Sequence, residues 1–431
     1  MSTRRSLINF SSLLFCIIPF ALLTGPFLPD LFLSIISLIF LIISIKEKLW
    51  RYYKNNFFYI FILFYSYLIL NSLFSDLPIE ALKNIIFYFR FGIFSLAVWY
   101  MLENNNRLIK IFTVSLVITF IIAMSDGLYQ FFFDTNIFGL KAIGIRTTLL
   151  LNDRMILGGY LSRLFPLLIA LLIYNYYNKN NFNKLLFIFL FLTTPIIIYL
   201  TGERTALGLI FVQLIVMIIL LPGLKFLKVF AIPTSFIIII FITLYSPEIK
   251  DRNINHTLDQ FNIIPYDYNS KIIELNEGTI VNNKKIRFFS IDHDRLFRSS
   301  FKMFQQNKLF GVGPGLFRNF CNNEEYSIDE NSCSTHPHNT YLQVLAETGL
   351  FGVFFILIIF FFTAYKLVET FILKFLNKKY SISDYQICLL ICFIISLWPL
   401  FPTQNIFNNW INIIYFLPVG FYLQSIKSYK F

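Results

Sequence analysis

Residues 184–221 read KLLFIFLFLTTPIIIYLTGERTALGLIFVQLIVMIILL. No charge stands between Leu185 and Gly202, or between Thr205 and Leu221. Each run is close to the roughly 20 apolar residues that a helix needs to cross about 30 Å of hydrocarbon. Only Thr201-Gly-Glu-Arg-Thr205 separates them, so the stretch reads as two spans joined by a tight turn carrying Glu203 and Arg204. Further apolar runs lie near 7–24, 31–45, 57–74, 85–102, 108–125, 155–175, 226–245, 350–365, 385–400 and 409–424. The expectation is an all-α membrane protein of about 12 transmembrane helices, with one large polar loop between spans nine and ten. It divides the chain into 1–245 (nine spans), 246–349 (the loop) and 350–431 (three spans).

Composition agrees. The 431 residues are 57% hydrophobic, mean hydropathy is +0.66, and only 14% are charged. Soluble domains carry roughly 25% charged residues. The net charge of +12 lies between apolar runs rather than in a stripe, which argues for loops held on the cytoplasmic face and against a nucleic-acid partner. With Arg4 and Arg5 inside, loops such as Lys46–Lys54 and Lys366–Lys379 fall on the same side. The short outer loops hold only Lys83, Lys141, Arg146, Arg154 and Arg204. That asymmetry predicts both termini in the cytoplasm and the long loop outside. The first apolar run meets a second at once and reads as a retained span, not a cleaved signal. Neither repeated halves nor a pair of broken helices, the mark of a secondary transporter or flippase, is visible.

An outer loop makes a disulfide between Cys321 and Cys333 an expectation, because that side is oxidising. The other three cysteines, Cys16, Cys388 and Cys392, lie in apolar runs.

Charge inside or beside a span is costly and marks candidate function. Arg90, Arg163, Arg154 and Arg204 all fall toward the outer face. Arg204 opens a helix, where free N–H groups suit a phosphate; the alternative is an arginine reaching for lipid headgroups. Asp153 offers Arg154 a neutralising neighbour. In the loop, Asp292-His-Asp-Arg-Leu-Phe-Arg298 opens an amphipathic helix, whose Arg295 either meets a ligand or is solvated. Phe310-Gly-Val-Gly-Pro-Gly-Leu-Phe317 either cradles phosphate or makes a tight turn; it lacks the Lys-Ser/Thr of a nucleotide loop.

Thr335-His-Pro-His-Asn-Thr-Tyr-Leu-Gln-Val-Leu-Ala-Glu-Thr-Gly-Leu-Phe-Gly352 is the most chemical stretch. Tyr341, Val344, Leu345 and Thr348 follow helical spacing, Asn339 suits the N-cap, and Gly349 suits a stop. His338 then stands at a helix N-terminus, whose dipole favours the neutral imidazole that a general base needs. Three readings remain open for His336 and His338: passive loop residues, a His-x-His metal site without partners at ligand spacing, or catalysis and substrate binding.

His338-Asn339, nine residues, then Gly349-Leu-Phe-Gly352 resembles the signature of bacterial O-antigen ligases, His-[Asn/Ser/Gln]-x9-Gly-x-x-[Gly/Thr/Tyr]. Leu309–Gly315 is similar to the turn that precedes it. Gly202–Gly208 is similar to the family's arginine motif, except that Gly208 stands where Leu is usual. The similarity runs over residues 190–370. It implies a glycosyltransferase of the bacterial inner membrane, its active site facing the periplasm, which needs neither cofactor nor metal. The donor would be an undecaprenyl diphosphate-linked glycan, and the acceptor the lipid A core (a ligase) or a second lipid-linked repeat (a polymerase). It implies His338 as base toward the acceptor hydroxyl with inversion. Arg204, with Arg90, Arg154 and Arg163 as candidates, would hold the diphosphate, and His336, Gln343 and Arg295 are candidate sugar contacts.

Overall fold

The computed structural model describes residues 2–142, 146–150, 154–175, 181–221, 223, 230–255, 257–258 and 290–428; Asp153 and residues 259–281 of the loop lie outside these. The chain is a multi-pass membrane protein, all-helical among the described residues. In order come α1 (Ser2–Ala21), α2 (Phe27–Lys46), α3 (Asn56–Leu73), α4 (Pro78–Ile85), α5 (Phe89–Asn104), α6 (Leu108–Phe133) and α7 (Leu157–Asn175). They are followed by α8 (Asn181–Leu200), α9 (Arg204–Leu220), α10 (Ile232–Tyr245), α11 (Ile291–Gln306), α12 (Thr340–Phe375), α13 (Asp384–Ser396) and α14 (Asn409–Ser428).

Each apolar run overlaps a helix among the described residues. Among the described residues, 7 are long and apolar enough to cross a membrane, or up to 8 if the bent pair Ile232–Tyr245 and Pro247–Asn255 is one span. Lys184–Leu200, Arg204–Leu220 and Asp384–Ser396 are shorter apolar helices.

The ends of these helices are written in local chemistry. Asn55 caps α3 by accepting from Phe58 N at 2.9 Å. Ser383 and Gln386 form a reciprocal capping box on α13. Phe354 and Phe361 on α12, Leu38 on α2 and Phe241 on α10 are exposed on the helix flanks, a surface that only lipid can wet without penalty. Inside, α7 is the most enclosed element: Leu157–Leu172 is buried throughout, with α6, α8, α9 and α13 packed around it. The segment between α10 and α12 has its own small core, where Leu296 and Met303 of α11 meet Val312, Leu316, Phe317, Tyr326 and Ala346. Cys321 and Cys333 are joined there as a disulfide, Cα–Cα 5.0 Å.

Candidate functional site

His338 is the residue around which the site is built. Asn339 caps α12, its Oδ1 accepting from Tyr341 N (3.0 Å) and Leu342 N (3.1 Å). To bring the chain from Pro337 into that cap, His338 adopts φ +55°, the left-handed region. For a non-glycine residue this costs on the order of 1–3 kcal/mol and persists only where the surroundings enforce it. Here the 397–409 segment does so. Thr403 N donates to His338 O at 2.8 Å, Asn339 Nδ2 to Pro399 O at 3.1 Å, and Thr340 Oγ1 to Thr403 Oγ1 at 2.9 Å. Tyr341 Oη donates to Leu397 O at 2.7 Å.

At Gly349, φ is +65° and α12 kinks. A Cβ there would lie 2.2 Å from Leu309 O; only glycine lets the Gly-rich turn pass so close. That turn is fastened to α12. Val312 N donates to Ala346 O (2.9 Å) and Gly313 N to Glu347 O (2.8 Å), while Gly315 N and Phe317 N both donate to the buried Glu347 carboxylate at 3.0 Å. Those N–H groups are therefore committed within the protein. Between phosphate cradle and tight turn, the geometry selects the turn.

Three imidazoles converge. The rings of His336 and His338 are 4.1 Å apart between centroids, and His293 meets His338 edge-on at 5.6 Å. His336 Nε2 donates to Thr403 O (3.3 Å) and its Nδ1 accepts from Thr335 Oγ1 (3.0 Å), so both nitrogens are occupied. Burial, then the neighbouring His338, pushes His336 down to about 3. His293 is lowered to about 4, by burial first and then by His338, with Asp292 opposing and Arg204 adding to the shift. Ser290 Oγ accepts from His293 N (3.3 Å) and lies 2.6 Å from Nδ1. Burial also lowers His338, which favours the neutral ring. Among the described residues no group of three or more His, Cys, Asp or Glu is arranged to hold a metal ion.

Arg204 bears on His293 and thereby links the imidazoles to a second group of charges. Glu203, in the tight turn, reaches across to the start of α7, where its carboxylate accepts from Gly158 N (2.6 Å) and Gly159 N (3.0 Å). Burial raises it to about 7 against those bonds and the charges of Arg146 and Arg163. With Glu203 anchored, Arg204 opens α9 half-buried, its Nη1 3.4 Å from Thr257 Oγ1. The charges of Arg252 and Arg146 both act on it. Arg252 arrives because the chain bends by 108° where α10 gives way to Pro247–Asn255. Three guanidiniums that act on one another beside a helix N-terminus make a positive local field for an anion.

The other residues singled out from sequence lie elsewhere or are engaged. Arg90 pairs with Asp30 at 2.7 Å, and Asp30 also accepts from Asn409 (3.2 Å). Arg163 is buried with Nη1 on Gly159 O (3.2 Å), behind Glu203. Arg154 is exposed, its carbonyl accepting from Leu149 N and Ile156 N at 3.0 Å. Arg295 is 2.7 Å from Asp329 and 3.6 Å from Asp292. The Gln343 amide is fully used, donating to Glu347 (3.1 Å) and Asn405 (2.8 Å) and accepting from Ile406 N (3.1 Å). Sequence reasoning passed over Arg252, treated Arg146 only as a loop charge, and saw His293 only as part of a helix start.

Residues 186–357 match the family model described as O-antigen ligase. The matched segment spans Arg204, Arg252, His293 and His338, and stops short of Arg90, Arg146, Arg154 and Arg163. No curated protein matches the chain.

Proposed function

We propose that this chain, a member of the O-antigen ligase family over residues 186–357, is a ligase that moves a glycan from undecaprenyl diphosphate to the lipid A core. Enzymes of this family transfer glycosyl groups. The observation that carries the reading is a cluster of three imidazoles, one of which lies in the field of Arg204. His338 lies against His293, and His293 lies in the field of Arg204.

In this reading the acceptor hydroxyl gives its proton to His338. Its oxygen attacks the anomeric carbon from the face opposite the diphosphate, and the C1–O bond breaks with its electron pair leaving on phosphate. Arg204, Arg252 and Arg146 stabilise that charge as it develops. Inversion follows from the single displacement. The step needs no metal, because the arginines supply the positive charge.

The reading places both termini in the cytoplasm, with about 12 spans, and the 246–349 segment in the periplasm. The Cys321–Cys333 disulfide supports that side, as does the basic-residue asymmetry. Residues 1–245 and 350–431 then act as the membrane scaffold on either side of the catalytic loop. Deleting the gene and examining lipopolysaccharide tests the assignment. If the protein is a ligase, its loss leaves long polymer accumulating on undecaprenyl diphosphate and the lipid A core unmodified. A core capped by one repeat unit would instead mark a polymerase, and unchanged lipopolysaccharide would reject both.

A further inference from the structure

Helix α6 continues to Phe133, past the apolar run that ends near residue 125. Its last turns are polar on one side. Asp126 and Gln130, one turn apart, are each 1% exposed, while Leu128 and Phe132 on the other side are exposed. Burying a carboxylate is costly unless its oxygens are bonded, and here both are. Asp126 Oδ1 accepts from Ile137 N (2.9 Å) and Oδ2 from Gln130 Nε2 (2.8 Å). The Gln130 amide brackets one residue of the following loop: Oε1 accepts from Thr148 N (2.8 Å) and Nε2 donates to Thr148 O (3.1 Å). Asn136, also 1% exposed, works from within the loop. Its Oδ1 accepts from Phe138 N (3.0 Å) and Leu140 N (2.9 Å), and its Nδ2 donates to Leu149 O (3.1 Å) and Leu150 O (2.9 Å).

These bonds end on the backbone next to Arg146, which stands two residues before Thr148. Arg146 Nη2 donates to Met155 O (3.2 Å), and its buried Nε has no hydrogen-bond partner among the described residues. Three residues beyond Met155, Gly158 N donates to Glu203, the neighbour of Arg204. A chain of bonds therefore runs from α6 through Arg146 to the Arg204 end of the site. Arg146 is repelled there, because Arg204 and Arg252 both feel its charge. A long flexible side chain on a loose loop would swing away into water. Buried Leu149 and Leu150 already anchor the loop by apolar contact. The amides add what apolar contact does not, a single backbone geometry enforced by a satisfied polar network.

We propose that Asp126, Gln130 and Asn136 are positioning residues that hold Arg146 at the Arg204 end of the site, where it meets the diphosphate of the lipid-linked donor. This rests on the reading above that the donor is a polyprenyl diphosphate.

The test measures binding of undecaprenyl diphosphate by the full chain in phosphatidylcholine nanodiscs, for the unaltered protein, Gln130→Met, Arg146→Ala and the two combined. Arg146→Ala should raise Kd about tenfold or more. Gln130→Met should raise it by a similar factor, and the pair by no more than Arg146→Ala alone. Factors that multiply, or a Gln130→Met affinity within twofold of the unaltered protein, would overturn the proposal. Phe138→Ala, on the exposed tip of the same loop, should leave Kd unchanged; a matching loss there would also overturn it, since any disturbance of the loop would then suffice. Asn136→Asp keeps the acceptor and loses the donors to Leu149 O and Leu150 O, so it answers by the same cycle if Gln130→Met does not fold. Loss of folded protein in both, read by thermal unfolding, would assign these bonds to the fold rather than to the site and refute the proposal. A readout without donor separates this inference from the functional reading. The charge of Arg146 opposes the upward push of burial on Glu203. Carbon-13 NMR of the Glu203 carboxyl should therefore show its midpoint, about 7, move up in Arg146→Ala and in Gln130→Met, and no further in the pair. That shift in a protein that does not bind undecaprenyl diphosphate would reject the functional reading and leave the placement of Arg146 standing. An unmoved Glu203 in Gln130→Met would reject the placement itself.

Discussion

Removing the Glu347 carboxylate should loosen the Gly-rich turn by an amount the geometry fixes. Its two oxygens accept from Gly315 N and Phe317 N at 3.0 Å each, and from Gln343 Nε2 at 3.1 Å. The side chain is fully buried, so in Glu347→Ala nothing replaces it without a new water. A buried donor left without an acceptor costs about 1–3 kcal/mol. Two such donors give about 2–6 kcal/mol, of which a water or a shifted carbonyl recovers part; about 3 kcal/mol is the working figure. Since 1.4 kcal/mol is tenfold in an equilibrium, local opening of the turn should rise by about 10²-fold. Amide hydrogen exchange reads this directly at Gly315 and Phe317. Glu347→Ala should exchange about 10²-fold faster at both amides, with amides of α7 unchanged. Glu347→Gln keeps one acceptor oxygen and should fall between. Exchange at both amides within threefold of the unaltered protein would refute the claim that this carboxylate holds the turn to α12.

Arg252→Ala and Arg146→Ala should each lower kcat/KM for the lipid-linked donor by about 10- to 100-fold, because a charge-assisted hydrogen bond is worth about 1.5–3 kcal/mol; Arg90→Ala, whose partner is Asp30, should act on stability instead, and steady-state kinetics beside thermal unfolding separates the two. The acid limb of kcat/KM should lie below pH 6.5, since His338 is lowered from that ordinary value and is neutral above it; a limb above pH 7 would contradict this. Folded-state stability should fall as pH drops from 6.5 toward about 4, because His293 and His336 have folded values depressed to about 4 and about 3, so the unfolded chain takes up their protons first; chemical denaturation at several pH values measures it. Cys321 and Cys333 should resist alkylation until a reductant is added, and labelling of either thiol in the unreduced protein would contradict the pairing.

What could be read from the sequence was what depends on neighbours along the chain. The runs at 184–200 and 205–221 became α8 and α9 because length and hydropathy are local properties. Asn339 became the cap of α12 and Gly349 its kink because caps and left-handed positions select residue types at fixed offsets. What stayed hidden depends on partners far away. Arg90 looked like a free cation beside a span, yet Asp30, from the start of α2, neutralises it. His336 and Gln343 looked available to a sugar, but Thr403 captures the first and Asn405 with Ile406 the second. Those partners lie more than 60 residues on, in a segment with no motif of its own. Arg252 comes within electrostatic reach of Arg204 only through the bend after α10, and no spacing rule announces a fold-back. The histidine end of the candidate site was thus legible along the chain, and its arginine end only half so.

Everything above turns on His338 as the group that takes the acceptor proton. The measurement is transfer from purified undecaprenyl-linked glycan to acceptor by the purified protein and its His338→Ala variant, at matched levels of folded protein. Loss of a general base costs about 10²–10⁴-fold. The account predicts a fall of that size in kcat while the donor still binds, because the arginines are untouched. A His338→Ala protein that keeps its rate to within a few-fold would contradict it.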